Sequence, residues 1–219
     1  MSRFLIKSVS LACFALASLQ ANAVSVQFAG YTNGSTSTNF AASAPNVPIS
    51  GNTGAGGFDT KVNGGPTFTS YCVDLYEHLS FNQTYTDYTL VSGASHAFAN
   101  VNANVDIGRL YSAGHVLANG TDQAAFQIAV WEIAYETSGT YNVAAGTAQF
   151  SGDAAALADT WLNSLAATST FNVQVLESNG HQDVMYATPA VPEPSSYALM
   201  AAGLMGVGFV ARRRSPKQH

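Results

Sequence analysis

Residues 121 to 137 read Thr-Asp-Gln-Ala-Ala-Phe-Gln-Ile-Ala-Val-Trp-Glu-Ile-Ala-Tyr-Glu-Thr. Thr121 offers a hydroxyl to cap a helix start. Phe126, Val130 and Ile133 fall on one face, with Gln127, Trp131 and Ala134 on the adjoining one, so the stretch predicts a helix to about Thr137. A helix is also expected before it: Asp106 stands at a cap position, Ile107, Leu110, Tyr111, Gly114 and Leu117 form one stripe, and Asn119-Gly120 ends it. Asp153 to Ala167, with Leu157, Trp161 and Leu165 inward, predicts a third.

Outward from this centre the period changes to two. Val24, Val26 and Phe28 alternate, as do Phe171, Val173 and Val175, with Val184 to Ala187 as a last strand. Thr67 to Leu75 places Thr69, Tyr71, Val73 and Leu75 on one face and Phe68, Ser70 and Cys72 on the other; Tyr85 to Val91 is a strand suited to pair with it. Asn33 to Pro66, rich in Gly, Ser, Thr, Asn and Pro, reads as loops or weak strand connections. Strands, helices, strands in that order predict a single compact α+β domain, with strand-rich N-terminal and C-terminal portions around a central helical segment.

The ends carry addresses rather than fold. Arg3 and Lys7, an apolar run from Ser8 to Leu19, and Ala21-Asn22-Ala23 have the three parts of a secretory signal peptide, 1–23, cut after Ala23 by signal peptidase. The exported domain is then 24–190. Its bases are Lys61 and Arg109 against twelve acids, which argues against a nucleic-acid partner. Beyond it, residues 191–219 combine Pro192-Glu193-Pro194, an apolar stretch from Tyr197 to Val210, and Arg212-Arg213-Arg214. Fourteen apolar residues make a short transmembrane segment beside the roughly 20 that a bilayer usually takes, and the arginines should stay cytoplasmic.

This tail resembles the PEP-CTERM sorting signal of Gram-negative bacteria. The resemblance implies recognition by an exosortase, a membrane transpeptidase that cuts near Pro-Glu-Pro. The protein would be anchored transiently in the inner membrane and then reach the cell surface or extracellular matrix.

Cys13 leaves with the signal peptide, so Cys72 stands alone in an oxidising compartment, where an unpaired thiol is unusual. Two blocks draw it into a constellation: Tyr71-Cys72-Val73-Asp74 on a strand and Phe126-Gln127-Ile128-Ala129-Val130-Trp131 on a helix. Together, over about Tyr71 to Tyr135, they resemble the thioester domains of Gram-positive surface adhesins, departing in Phe126, where that family usually has Thr. The resemblance implies an intramolecular thioester between Cys72 and Gln127, with Tyr71 and Trp131 excluding water. The stored acyl group would pass to an amine or hydroxyl of a surface protein or glycan, making the chain adhesive by a single-turnover transfer rather than a turning-over enzyme.

Two other readings use the same cysteine. In one, Cys72 is a buried free thiol and Gln127 a surface helix residue in a non-catalytic structural or interaction protein of the biofilm matrix. In the other, a cysteine hydrolase, His78 or His115 serves as base. The histidines have no paired ligand spacing, there is no run of alternating aspartates for calcium, and no phosphate-loop or dinucleotide fingerprint occurs, so neither metal nor cofactor is expected. Both ends carrying sorting patterns, terminal sequencing of exported material should find Val24 first and no Arg212–Arg214 cluster; recovery of Met1 or of an intact tail to His219 would contradict this.

Overall fold

The structure, a computed structural model, describes residues 23–190 together with Met200 and residues 202–205. The signal peptide up to residue 22, Pro192 to Pro194 and the arginine cluster lie outside the described residues, as does most of the apolar stretch. Among the described residues no helix is long and apolar enough to cross a membrane.

Nine strands and three helices make up the body. β1 (Ala23–Tyr31), β4 (Phe58–Val62), β5 (Phe68–Cys72), β6 (Gln83–Ser92), β8 (Phe171–Glu177) and β9 (Val184–Pro189) close into an antiparallel barrel in the order β1-β4-β5-β9-β8-β6. Closure leaves no free edge. β2 (Thr36–Ala42), β3 (Ile49–Ala55) and β7 (Ala148–Ser151) form a separate sheet in the order β3-β2-β7. The helices are α1 (Ala103–Ser112), α2 (Gly120–Tyr135) and α3 (Ala155–Leu162), of 10, 16 and 8 residues.

This overturns the α+β expectation of a domain organised on a central helical segment. The architecture is β-rich, and only α2 is longer than three turns. The missed strands account for the difference. β2 and β3 pair in full register from Thr36–Ala55 to Ala42–Ile49, yet their sequences TSTNFAA and ISGNTGA carry little apolar alternation. Cross-strand polar bonds replace it: Ser37 Oγ to Asn52 Oδ1 at 2.6 Å and Asn52 Nδ2 to Asn39 Oδ1 at 3.0 Å. Such a ladder is invisible to a hydrophobic period. β6 pairs with β1 and β8 rather than with β5.

The helix boundaries also move. α2 is capped by Asn119, whose side chain accepts the N–H groups of Thr121 and Asp122, so the expected Thr121 cap lies inside the helix. Gly120 is held by proximity: a Cβ there would lie 2.9 Å from the Ser35 backbone nitrogen. Asp106 sits inside α1, where it pairs with Arg109 at 2.7 Å and accepts the Tyr141 hydroxyl instead of capping. α3 runs only from Ala155 to Leu162 within the expected Asp153–Ala167.

From Gln123 to Tyr135 every residue of α2 is buried. The helix touches β5 of the barrel, all three strands of the second sheet, and both other helices, so it has no solvent face. Inside the barrel, Phe28 meets the rings of Phe58, Tyr85 and Tyr88 at centroid distances of 5.9, 6.0 and 6.0 Å. Phe28 is fully buried. Phe28→Ala should therefore destabilise the body by about 3–5 kcal/mol, read from denaturant unfolding, because the closed barrel cannot collapse around the cavity; a cost below 1 kcal/mol would show that this ring does not hold the barrel interior.

Candidate functional site

β5 ends at Cys72. On one side β9 continues beside it, with Tyr71 opposite Met185 and Cys72 opposite Val184. On the other side the β4 pairing runs only from Thr60–Phe68 to Phe58–Ser70, which leaves the outward N–H and C=O of Cys72 without a strand partner. A buried peptide group must be paired. The Gln127 side chain supplies the pairing: its Oε1 accepts the Cys72 N–H at 2.9 Å and its Nε2 donates to the Cys72 carbonyl at 2.8 Å. One carboxamide thus stands in for the missing residue of β4.

Gln127 belongs to a row on α2 at helical four-residue spacing, Gln123, Gln127, Trp131 and Tyr135, that meets residues 71–75 in order. The Tyr71 hydroxyl donates to Gln123 Oε1 at 2.7 Å, and Gln123 Nε2 donates to the Leu117 carbonyl at 3.1 Å. The Leu75 N–H donates to the Tyr135 hydroxyl oxygen at 2.9 Å. Tyr71 also packs on Phe126 at 4.6 Å. The structure therefore brings together the four expected residues, Cys72, Gln127, Tyr71 and Trp131. Gln127 is not a surface residue; it is 1 % exposed. Gln123 and Tyr135 escaped the sequence reading although their spacing from Gln127 and Trp131 was there to be seen.

Strand alternation puts Cys72 on the face of Ser70, whose hydroxyl meets that of Thr60 at 2.6 Å in the interior. The sulfur is enclosed by its own chain: Sγ–H donates to the Asp74 carbonyl at 2.8 Å and Sγ accepts the Asp74 N–H at 3.3 Å. Burial pushes the Cys72 thiol far up, so the neutral form prevails. The Trp131 indole N–H approaches the sulfur and favours its anion, yet falls short of hydrogen-bonding geometry, leaving Trp131 Nε1 buried without a partner. Neither His78 nor His115 bonds to the sulfur. His78 lines a cavity shared with Trp131, and His115 stacks on Trp161 at 4.2 Å.

Two openings flank the 73–76 segment. One, of about 180 Å³, is lined by Val73, Asp74, Tyr76, His96, Tyr135 and Asp183. The other, of about 340 Å³, is lined by Phe40, Ile49, Leu75, Tyr76, His78 and Trp131. Burial pushes the Asp183 carboxyl up to about 6. No group of three or more His, Cys, Asp or Glu among the described residues is arranged to hold a metal ion.

Glu132 on α2 and Glu136 just past its end tie down the following loop. Glu136 accepts the N–H groups of Ser138 and Thr147, each at 2.8 Å. Glu132 accepts the Asn142 N–H at 2.8 Å through Oε1, while its Oε2 is buried without a partner. Burial pushes Glu132 up to about 7, with the charges of Glu136 and Asp159 adding to the effect.

Comparison with known proteins adds one finding. Residues 190–214 match the PEP-CTERM protein-sorting motif. The tail is an export and sorting signal. It identifies an exported substrate of exosortase processing, anchored transiently in a membrane on its way to the cell surface. The match covers the tail and says nothing of the domain that precedes it. No curated protein and no solved structure matches the chain. The thioester-domain resemblance accordingly gains no support from comparison, and the body must be read from its geometry.

Glu132 gives that geometry a pH dependence. Its carboxyl titrates near 7 in the folded protein against 4.5 as a free group, so the folded state holds the extra proton between these values. The stabilisation is complete below about pH 4.5 and is lost as the pH rises through about 7. Glu132→Gln, which keeps the acceptor for Asn142, should raise the melting temperature above pH 7 and flatten its fall between pH 5 and 8 by about 3 °C. An unchanged profile would show that the unpartnered oxygen carries no cost.

Proposed function

We propose that the chain is a surface or matrix protein of a Gram-negative bacterium that attaches covalently to its target through a Cys72–Gln127 thioester. The observation that carries this reading is the seating of the Gln127 carboxamide on the backbone of the residue whose sulfur would attack it. The Cys72 N–H already points at the carbonyl oxygen that would become negative in the tetrahedral intermediate. Trp131 Nε1 is a second, unpaired donor beside the sulfur. In the first step Sγ bonds to the Gln127 side-chain carbon and the carbon–nitrogen bond breaks. The thiol proton, resting on the Asp74 carbonyl, leaves with the nitrogen as ammonia. In the second step an amine or hydroxyl of a surface protein or glycan takes the acyl group. The carbon–sulfur bond breaks, the Cys72 thiol is restored, and the target is left on the Gln127 side chain. Tyr71, Phe126 and Trp131 keep water from the acyl carbon.

A second reading rests on the same two hydrogen bonds. They end on the backbone of Cys72, not on its sulfur, so the carboxamide acts as a structural clamp in a non-catalytic matrix protein. Intact mass separates the two. The thioester reading expects the loss of one ammonia, reversed by methylamine, and a target adduct that resists boiling in detergent. It also expects Cys72→Ala and Gln127→Ala each to abolish the adduct, the double variant being no worse. Full calculated mass with no adduct in the unaltered chain, or an adduct retained in either single variant, would leave the clamp.

A further inference from the structure

We propose that the cavity between β3 and the 75–78 segment is a binding site for a neutral saccharide, held without a covalent bond. Neither Cys72 nor Gln127 lines it, so the inference stands whether that pair is an acyl donor or a clamp. The cavity holds about 340 Å³, at the lower end of ordinary ligand sites, which suits about one or two sugar rings. Three aromatic rings stand in its wall: Phe40 from β2, Tyr76 beside the barrel, and Trp131 from α2. Phe40 lies opposite Gly51 in the β2–β3 register, and a Cβ on Gly51 would lie 3.4 Å from Phe40 Cε1. The glycine thus leaves space beside that ring. The electron-rich face of an aromatic ring attracts the C–H face of a sugar.

The polar groups around these rings are unspent. The Tyr76 hydroxyl is buried with no partner among the described residues. Gln182 donates its Nε2 to the Asp74 carbonyl at 2.9 Å, which leaves Oε1 as an acceptor on the cavity wall. Main-chain groups add to these. The Ser43 N–H donates to the Thr147 carbonyl on the β7 side, so by strand alternation Phe40 and Ala42 bond towards β3. Their partners Gly51 and Ile49 point back at β2, and the N–H and C=O groups of Ser50 and Asn52 point away from the sheet. Both residues line the cavity.

Charge decides the class of ligand. No Asp, Glu, Lys or Arg lines this cavity, whereas its neighbour across the 73–76 segment holds Asp74 and Asp183. A phosphate, carboxylate or ammonium group loses its hydration on binding and needs an opposite charge in return. A ring of hydroxyls does not, because each one both donates and accepts. Aromatic faces with uncharged donors and acceptors between them match such a ring. An added peptide strand would need the length of the β3 edge, and the Gly54 carbonyl on that edge already accepts the Tyr31 hydroxyl at 3.4 Å.

The test titrates the full chain with neutral tetrasaccharides of glucose, of mannose and of N-acetylglucosamine. Trp131 fluorescence reports binding once Trp161→Phe has removed the other indole. Saturable binding that reverses on dilution is expected for one or more of them, with Kd on the order of 1 mM or tighter. Gly51→Val fills the space beside Phe40 with a residue that suits a strand, and should weaken binding by about tenfold. His78→Ala, at an exposed position on the cavity wall, should weaken it several-fold. Circular dichroism checks that each variant is folded, and His78→Ala decides if Gly51→Val is not. No saturation with any of the three sugars, or unchanged affinity in the folded variants, would overturn the proposal. Tighter binding of polygalacturonate, or of an extended Gly/Ser/Asn peptide, would overturn it in favour of a charged ligand or an added strand. The ammonia loss that tests the thioester is read by mass in the same chain, so either reading can fail without the other.

Discussion

The peptide group of Cys72 is buried at a place where its strand neighbour has run out, and the fold depends on how that gap is filled. Leaving its N–H and C=O unpaired would cost several kcal/mol together. A flexible side chain from another element can pair both only if that element is fixed to within a fraction of an ångström. α2 is fixed in this way, wrapped on all sides and pinned to residues 71–75 by Gln123, Gln127 and Tyr135. The barrel and the three-stranded sheet both pack on this one helix, so the pairing at Cys72 couples the two halves of the body.

The same arrangement explains the chemical character of the site. A thiol that is desolvated, neutral and bonded to its own chain is unreactive toward solvent and oxidant, which suits an exported protein. A carboxamide held at both of its polar atoms is likewise protected from hydrolysis. Protection and pre-organisation are here one geometry, shared by the clamp and the acyl donor. The orphan donor on Trp131 is the feature that the clamp does not use.

Much of the site was legible in the sequence, but less of the fold. Cys72 and Gln127 stood out because the blocks Tyr71–Asp74 and Phe126–Trp131 that hold them resemble those of thioester domains, a pattern that survives in one dimension. β1, β5, β6, β8 and β9 showed through their alternation. β2, β3, β4 and β7 did not: Ser37, Asn39 and Asn52 stabilise the three-stranded sheet through polar side-chain bonds, and β4 is only five residues long within a stretch rich in Gly, Ser, Thr and Asn. α2 misled in the opposite direction: a helix buried all round looks like the centre of a helical layer, although its neighbours are mostly strands. Gln123 and Tyr135 lie on the same four-residue row as Gln127 and Trp131, a spacing the sequence displays, but only the structure shows that this row meets the strand end.

The barrel order β1-β4-β5-β9-β8-β6 has a consequence for the order in which the chain folds. β5 is flanked by β4, which precedes it at once, and by β9, which emerges more than a hundred residues later. Pairings of such long range form late and slowly. Until β9 arrives, Cys72 has neither Val184 beside it nor a closed wall around it, and its sulfur is open to solvent. The period between the emergence of residue 72 and that of residue 189 is thus the interval in which this thiol lacks the enclosure that the finished barrel gives it.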